Sequence, residues 1–400
     1  MQKFDPQEFV DKQVIEIRKV VGNERALIAV SGGVDSTTCA VLTHRALGEN
    51  LLFVMLDDAF MRIGEPEKVR AILSQPPLRL PIRILRVQER FLKALKGLRD
   101  AEEKRRAFRE TFYEILSEVA EREGCPFLVQ GTIQTDIVET VGGIKTQHNV
   151  LSQTGISPTE YYGFQVIEPL STLFKEQVRR VARFLGVPSE ISERQPFPGP
   201  GLSVRVVGEV KTDKLESLKE ATAMAEGFLA KHKPKQYFVA IIDNNEALEH
   251  PRLSNVMKTT KRVLKIPAER ISVKVFRDRA TGIKGSKRHY GEIVAIKAQA
   301  ANGSIYQPPI DNLVALETEV LRENTSLTRV LYAVQEKRSK QPYVMAIRAI
   351  ETHDFLTAKV SNIPWETLRK TAQKILQACF NVSIVYYDVT PKPPATIEME

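Results

Sequence analysis

The sequence predicts an α/β protein: a doubly wound parallel sheet carrying a glycine anion loop, then an α+β half built on a duplicated β-α-β unit. Three observations lead there. Short apolar runs alternate with helical patterns through the first half, as parallel sheets require. The segment Ser31-Gly32-Gly33-Val34-Asp35-Ser36 sits between one such run and a helix. A strand-helix-strand pattern occurs twice in the last third of the chain.

The elements follow in order. Phe9, Val14, Ile15, Ile17 and Val20-Val21 outline an amphipathic helix. Ala26 to Val30 reads as a buried strand, and Thr37 to Leu47 as a helix closed by Gly48. Between them, glycines reach φ values that a Cβ forbids, and N–H groups at the positive helix end converge on an anion. Ser31 and Ser36 add hydroxyls. The lysine of G-x-x-x-x-G-K-[ST] is missing and Asp35 stands instead, so the loop suits pyrophosphate with its metal better than transfer of a γ-phosphate. A turn that needs glycine only for its geometry is the plain alternative.

Leu51 to Leu56 is the second strand, Ile82 to Val87 the third and Pro126 to Gln130 the fourth. The glycine loop, Asp57-Asp58 and Gln130-Gly131-Thr132 all fall at strand carboxyl ends, where such sheets bind ligands. Lys96 to Arg105 is charged and glycine-hinged. It reads either as a helix start with Asp100 as N-cap and Glu103 completing a capping box, or as a mobile lid. Gly142 to Tyr162 reads as loop and holds Lys145, His148 and Asn149. Pro196 to Leu202 is a stiff, proline-punctuated strap. Beyond about residue 208, Glu292–Lys297 matches Tyr343–Arg348, and Thr328–Tyr332 matches Ser383–Tyr387, each pair spaced by a helix. These repeats could build one sheet or pair with a second subunit. The expected domains are 1–207 and 208–400, the latter with subdomains at about 270–335 and 336–400. Lys392 to Glu398 forms a proline-stiffened tail more constrained than termini usually are.

Composition narrows the class. With 58 Lys+Arg against 49 Asp+Glu, the 400 residues carry a net charge of +9, which anionic small molecules explain as well as nucleic acid; a nucleic-acid partner is not expected. The three cysteines, Cys39, Cys125 and Cys379, show neither metal spacing nor a disulfide framework. No signal peptide and no apolar run of about 18 residues occurs. A soluble, cytoplasmic protein with no membrane partner is expected.

In order along nearly the whole chain, the motifs resemble GMP synthetase, in its ATP-pyrophosphatase and dimerisation portions, within the N-type ATP pyrophosphatases. The residues that carry the resemblance are Ser31 to Ser36, Glu89 to Leu92, Asp100 to Arg105, and Gln130-Gly131-Thr132 with Asp136 and Glu139. Lys145 with His148-Asn149, Pro196 to Gly201, Ala349 to Thr352 with Asp354-Phe355, and Lys392 to Glu398 complete the set. The doubled unit is similar to the longer architecture of that family.

The resemblance implies a ligase of GMP and purine biosynthesis. It adenylates the C2 oxygen of xanthosine monophosphate (XMP) using ATP and Mg²⁺, releases pyrophosphate, and lets ammonia displace AMP. It implies that Ser31, Gly32, Gly33, Val34, Asp35 and Ser36 bind the phosphates, with Leu56, Gly131 and Thr132 along the nucleoside and Asp35 on the metal. Asp35, Asp136, Lys104 and Lys145 would act in catalysis. Pro198, Gly199, Arg348, Lys392, Thr396, Ile397 and Glu398 would hold XMP. A homodimer is implied. No cysteine has the glycine-flanked setting of a glutaminase nucleophile, so a separate glutamine amidotransferase subunit is expected to supply ammonia.

Five positions depart from the family. Asp58-Ala59 stands for Asn-Gly after the second strand, Gln147 and Gln195 stand for histidines, and Met399 for a tryptophan. The alternatives are a paralogue that adenylates another nucleotide or an RNA, and a nucleotide-binding regulator with a decayed site. An RNA-modifying enzyme would call for a nucleic-acid-binding domain or a thiol relay, and there is no Cys pair.

Overall fold

The computed structural model describes residues 4–141, 157–245, 253–285, 287–352 and 356–400. It divides into two compact units, 1–94 with 105–200, and 95–104 with 201–400.

The first unit holds a five-stranded sheet of order β3-β2-β1-β4-β5, every neighbour parallel. Its strands are β1 (Ala26–Ala29), β2 (Leu51–Asp57), β3 (Arg83–Arg86), β4 (Phe127–Val129) and β5 (Gln165–Ile167). β1 and β2 are apolar almost throughout because both faces of a parallel sheet are covered. The helix Pro6–Val21 buries Val10, Ile17 and Val21 against this core, and the helix Lys175–Phe184 buries Val178, Val181 and Ala182. β5 has no apolar run that announces it; three residues with an exposed Gln165 follow β4 in register.

The second unit holds β6 (Gln236–Asp243), β7 (Ile271–Lys284), β8 (Lys287–Ala298), β9 (Leu327–Glu336), β10 (Tyr343–Glu351), β11 (Lys359–Val360) and β12 (Val382–Asp388). β8 pairs with β9 and β10 with β12, both parallel, through crossover helices Ile310–Glu323 and Trp365–Ala378. β12 then pairs antiparallel with β9, so the two β-α-β copies form one continuous sheet, back to back. Each copy also has an antiparallel flank, β7 on β8 and β6 on β10. Both helices start directly after a proline, Pro309 and Pro364, whose ring fixes φ at the helix entry.

The charged segment resolves as a helix start. Asp100 Oδ1 accepts from the N–H groups of Glu102 and Glu103 at 2.9 and 3.1 Å, opening the helix Ala101–Glu123. No described helix is long and apolar enough to cross a membrane.

Candidate active site

β1 ends at Ala29 and the chain turns through Ser31 to Gly33 into the helix Val34–Leu47. Gly32 sits at φ +77, and a Cβ there would meet Val69 Cγ2 at 2.6 Å, so conformation and space both demand glycine. Ser31 Oγ and Ser36 Oγ lie 2.9 Å apart, and Ser36 Oγ also donates to Gly33 O at 3.2 Å. Gly33 is the N-cap and, among the described residues, no side chain caps this helix, which leaves its positive end open to an anion. Two hydroxyls and an uncapped positive helix end at one turn are the makings of a phosphate site.

Gly131, just beyond β4, packs on that same turn. A Cβ there would stand 2.9 Å from the main chain of Asp35 and Ser36. The glycine therefore lets β4 close against the anion loop. Cys39 Sγ ties the same two segments by donating to Gln130 O at 3.3 Å.

Three carboxylates follow the ends of β1, β4 and β5 in the chain. Asp35 Oδ2 is 2.5 Å from Lys175 Nζ, while its Oδ1 is buried without a hydrogen-bond partner among the described residues. Asp136 Oδ2 accepts from Ile133 N at 3.1 Å, within the turn that opens the helix Gln134–Val141. Glu168, immediately after β5, accepts from Thr132 Oγ1 at 2.6 Å; burial first, and Asp136 as well, push its carboxyl above the usual range. Sequence reasoning missed Lys175 and Glu168. A lysine in a helix first turn reads as surface, and only the β5 register puts Glu168 beside Thr132.

After β2, Leu56 is buried and Asp57 Oδ2 accepts from Gln88 Nε2 at 2.5 Å. Asp58 is 8% exposed, its Oδ1 accepts from Phe60 N at 2.8 Å, and burial pushes its carboxyl up to about 7. In the strap, Pro198 is half-buried and Gly199 exposed.

The structure thus brings together Ser31 to Ser36, Gly131, Thr132 and Asp136 in the first unit. Lys145, His148, Asn149 and Gln147 lie outside the described residues, as do Asp354 and Phe355.

In the second unit the tail is part of the core. Arg348 is fully buried; its Nε donates to Ile397 O at 2.9 Å, Nη2 to Thr396 O at 3.0 Å, and Nη1 to Asp388 Oδ2 at 2.8 Å. Arg329 shares Asp388 Oδ2 at 3.1 Å and donates to Thr396 Oγ1 at 3.0 Å. Burial, then the neighbouring Arg348, push the Arg329 guanidinium down to about 9. Glu398 takes both hydrogens of a fork from Arg205, at 2.8 and 3.0 Å. Of the tail residues expected to hold a ligand, Thr396, Ile397 and Glu398 are thus placed by internal cations, and Arg348 is one of the groups that places them. The main chain of Lys392 pairs both ways with Ala358 at 2.9 Å.

Lys104 belongs to this unit too. Its ammonium is enclosed, paired with the Glu400 carboxylate and donating to Val206 O at 2.7 Å and Gly208 O at 2.9 Å. A role over bound phosphates would require it to leave Glu400.

Comparison with known proteins agrees with this layout. Residues 6–188 match the PP-loop domain family, and residues 333–399 match the GMP synthase C terminal domain family. The chain is 41% identical over 399 residues to a subunit of the glutamine-hydrolyzing GMP synthase of Sulfurisphaera tokodaii, covering 99% of this chain and 100% of that protein. The corresponding subunits from Saccharolobus solfataricus and Methanopyrus kandleri are 43% and 38% identical, again over 99% of this chain and all of theirs. With a phosphate loop at its first strand and relatives matched end to end, the chain belongs to this family of GMP synthase subunits, the ATP-pyrophosphatase part of a two-subunit ligase.

Proposed function

We propose that this chain adenylates XMP and lets free ammonia complete the amination. The C2 oxygen of XMP attacks the α-phosphorus of ATP, and pyrophosphate leaves into the loop of Ser31 to Ser36. Ammonia then adds at C2 and AMP departs, giving GMP. The observation that carries this reading is the loop itself: two hydroxyls and an uncapped helix end, with Asp35 where a phosphate-transferring loop has lysine.

Leu56, Gly131 and Thr132 lie at the ends of β2 and β4 and suit the nucleoside. Asp35 is the residue that would hold Mg²⁺, since its Oδ1 is buried and lacks a hydrogen bond. When bound, the metal neutralises charge on the phosphates. Asp136, Lys145 and, on release from Glu400, Lys104 complete the expected catalytic set. Pro198 and Gly199 on the strap, and Lys392 with Thr396, Ile397 and Glu398 in the tail, are assigned to the acceptor, together with Arg348, which holds the main chain of Thr396 and Ile397.

The nitrogen source follows from the cysteines. Cys39, Cys125 and Cys379 are all buried. Burial raises all three thiols, Cys379 up to about 12. A glutaminase needs the reverse, a thiolate near neutral pH. A separate amidotransferase subunit therefore delivers ammonia, and the second unit, with strand edges in its sheet, pairs with another copy.

The test is purified chain with ATP, Mg²⁺ and XMP. With ammonium salts it forms GMP, AMP and pyrophosphate, faster as rising pH frees NH₃. With glutamine in place of ammonium and no second protein it forms no GMP. Steady release of ADP and orthophosphate would overturn the reading.

A further inference from the structure

One carboxylate in the first unit ties together two segments that the proposed reaction uses separately. Glu65 opens the helix Glu65–Leu73 and is 4% exposed. Its Oε2 accepts from the main-chain N–H of Arg62 at 3.0 Å and lies 3.5 Å from Arg62 Nη1. Its Oε1 lies 2.6 Å from Arg194 Nη2, on the segment that leads into the proline strap. The Arg62 guanidinium in turn covers the Phe197 ring at 4.1 Å from its centroid. One oxygen thus serves the loop after β2 and the other serves the strap.

We propose that Glu65 is a positioning residue that couples the loop leading from the nucleoside end of β2 to the acceptor strap. The inference rests on the reading above, in which Leu56 meets the nucleoside and Pro198 and Gly199 meet the acceptor. Prolines make the strap stiff, so displacement at Arg194 and Phe197 carries through to Pro198 and Gly199 rather than being absorbed. The carboxylate is itself held firmly. It sits at a helix N-terminus, which favours its charge, and both of its oxygens are engaged by cations in a buried place. Arg62 closes the circuit by binding Glu65 with its edge and Phe197 with its face. A nucleotide that orders the loop after β2 therefore also orders the strap, and acceptor affinity depends on whether ATP is bound.

The experiment is steady-state kinetics of the full chain with ATP, XMP and ammonium, together with XMP binding measured with and without a non-hydrolysable ATP analogue. Glu65→Gln keeps the shape and one acceptor but removes the charge that holds Arg194. It raises the KM for XMP about tenfold, with kcat and the KM for ATP changed by less than about threefold, and it abolishes the analogue's effect on XMP affinity. Arg194→Lys, which keeps the charge, gives a partial effect. The double variant Glu65→Gln with Arg194→Gln is no worse than the poorer single one, as expected for one shared interaction. Additive effects, or equal loss in both KM values, would overturn the proposal. Failure of the wild-type chain to convert XMP would instead overturn the reading beneath it.

Discussion

Lys175 and Asp35, separated by 140 positions in the chain, meet at 2.5 Å, each in the first turn of its helix. Lys175 stands in the first turn of its helix, where the dipole disfavours a cation, so Asp35 offsets a local electrostatic cost. Incoming phosphates are a stronger magnet than one half-exposed carboxylate. Lys175 is therefore expected to swing from Asp35 to pyrophosphate on binding, which leaves Asp35 free for the metal. Lys175→Met should lower kcat/KM for ATP by about tenfold to a hundredfold, the worth of a charged hydrogen bond to phosphate, and Lys175→Arg should recover part of it. An unchanged kcat/KM would show that the pair only braces the fold.

What the sequence made legible follows from the range of the interactions involved. β1, β2 and β4 announce themselves as apolar runs, and the Asp100 cap is written in four consecutive residues. The two β-α-β copies are legible because strands and crossovers recur in the same order. β5 is not, because three residues carry no period. Nor is the Lys175 contact, nor the fork between Arg205 and Glu398, 193 positions apart, since only the finished topology brings those partners together. Arg348 and Lys104 were legible as charged residues of interest, but not their burial. That depends on Asp388 and Glu400 being delivered by distant strands and loops.

Acceptor binding through the tail is tested at Lys392. A charge-assisted contact to a phosphate is worth about 1.5–3 kcal/mol, so Lys392→Ala should raise the apparent dissociation constant of XMP by about tenfold to a hundredfold. ATP affinity should stay as it was. Equal affinities for XMP in the two proteins, measured by calorimetry, would leave the tail with a structural role alone.

The tail's anchoring predicts a stability effect. Asp388 Oδ2 is shared by Arg329 and Arg348, all three fully buried, and Asp388 Oδ1 accepts from Thr390 N at 3.0 Å. Asp388→Ala strands two buried guanidinium groups without their shared anion, which costs about 3–5 kcal/mol when a buried pair loses one partner. Chemical denaturation should show that loss, and proteolysis should nick residues 392–400 first. A variant as stable as the parent would mean that the surrounding carbonyls suffice for both arginines.

Asp58 gives a pH dependence whose sign is fixed by its surroundings. Burial above all, then the nearby Asp57 and Glu65 charges, raise its carboxyl from 3.8 to about 7, against the opposing hydrogen bond from Phe60 N. In the folded chain Asp58 therefore holds a proton that the unfolded chain has already released. Its contribution to stability is fully present below the unfolded value near 3.8, falls as pH rises, and is gone above about 7. The following residue adds strain, because Ala59 adopts φ 75, where a Cβ is unfavourable. Asp58→Asn keeps an oxygen for the Phe60 N–H and removes the ionisation. Its advantage over the parent should be small at pH 5 and larger at pH 8 by about 1–3 kcal/mol, the scale of a buried charge relieved. The measurement is urea denaturation of parent and variant at both pH values. A difference between them that does not grow from pH 5 to pH 8 would mean that Asp58 ionises freely where it stands.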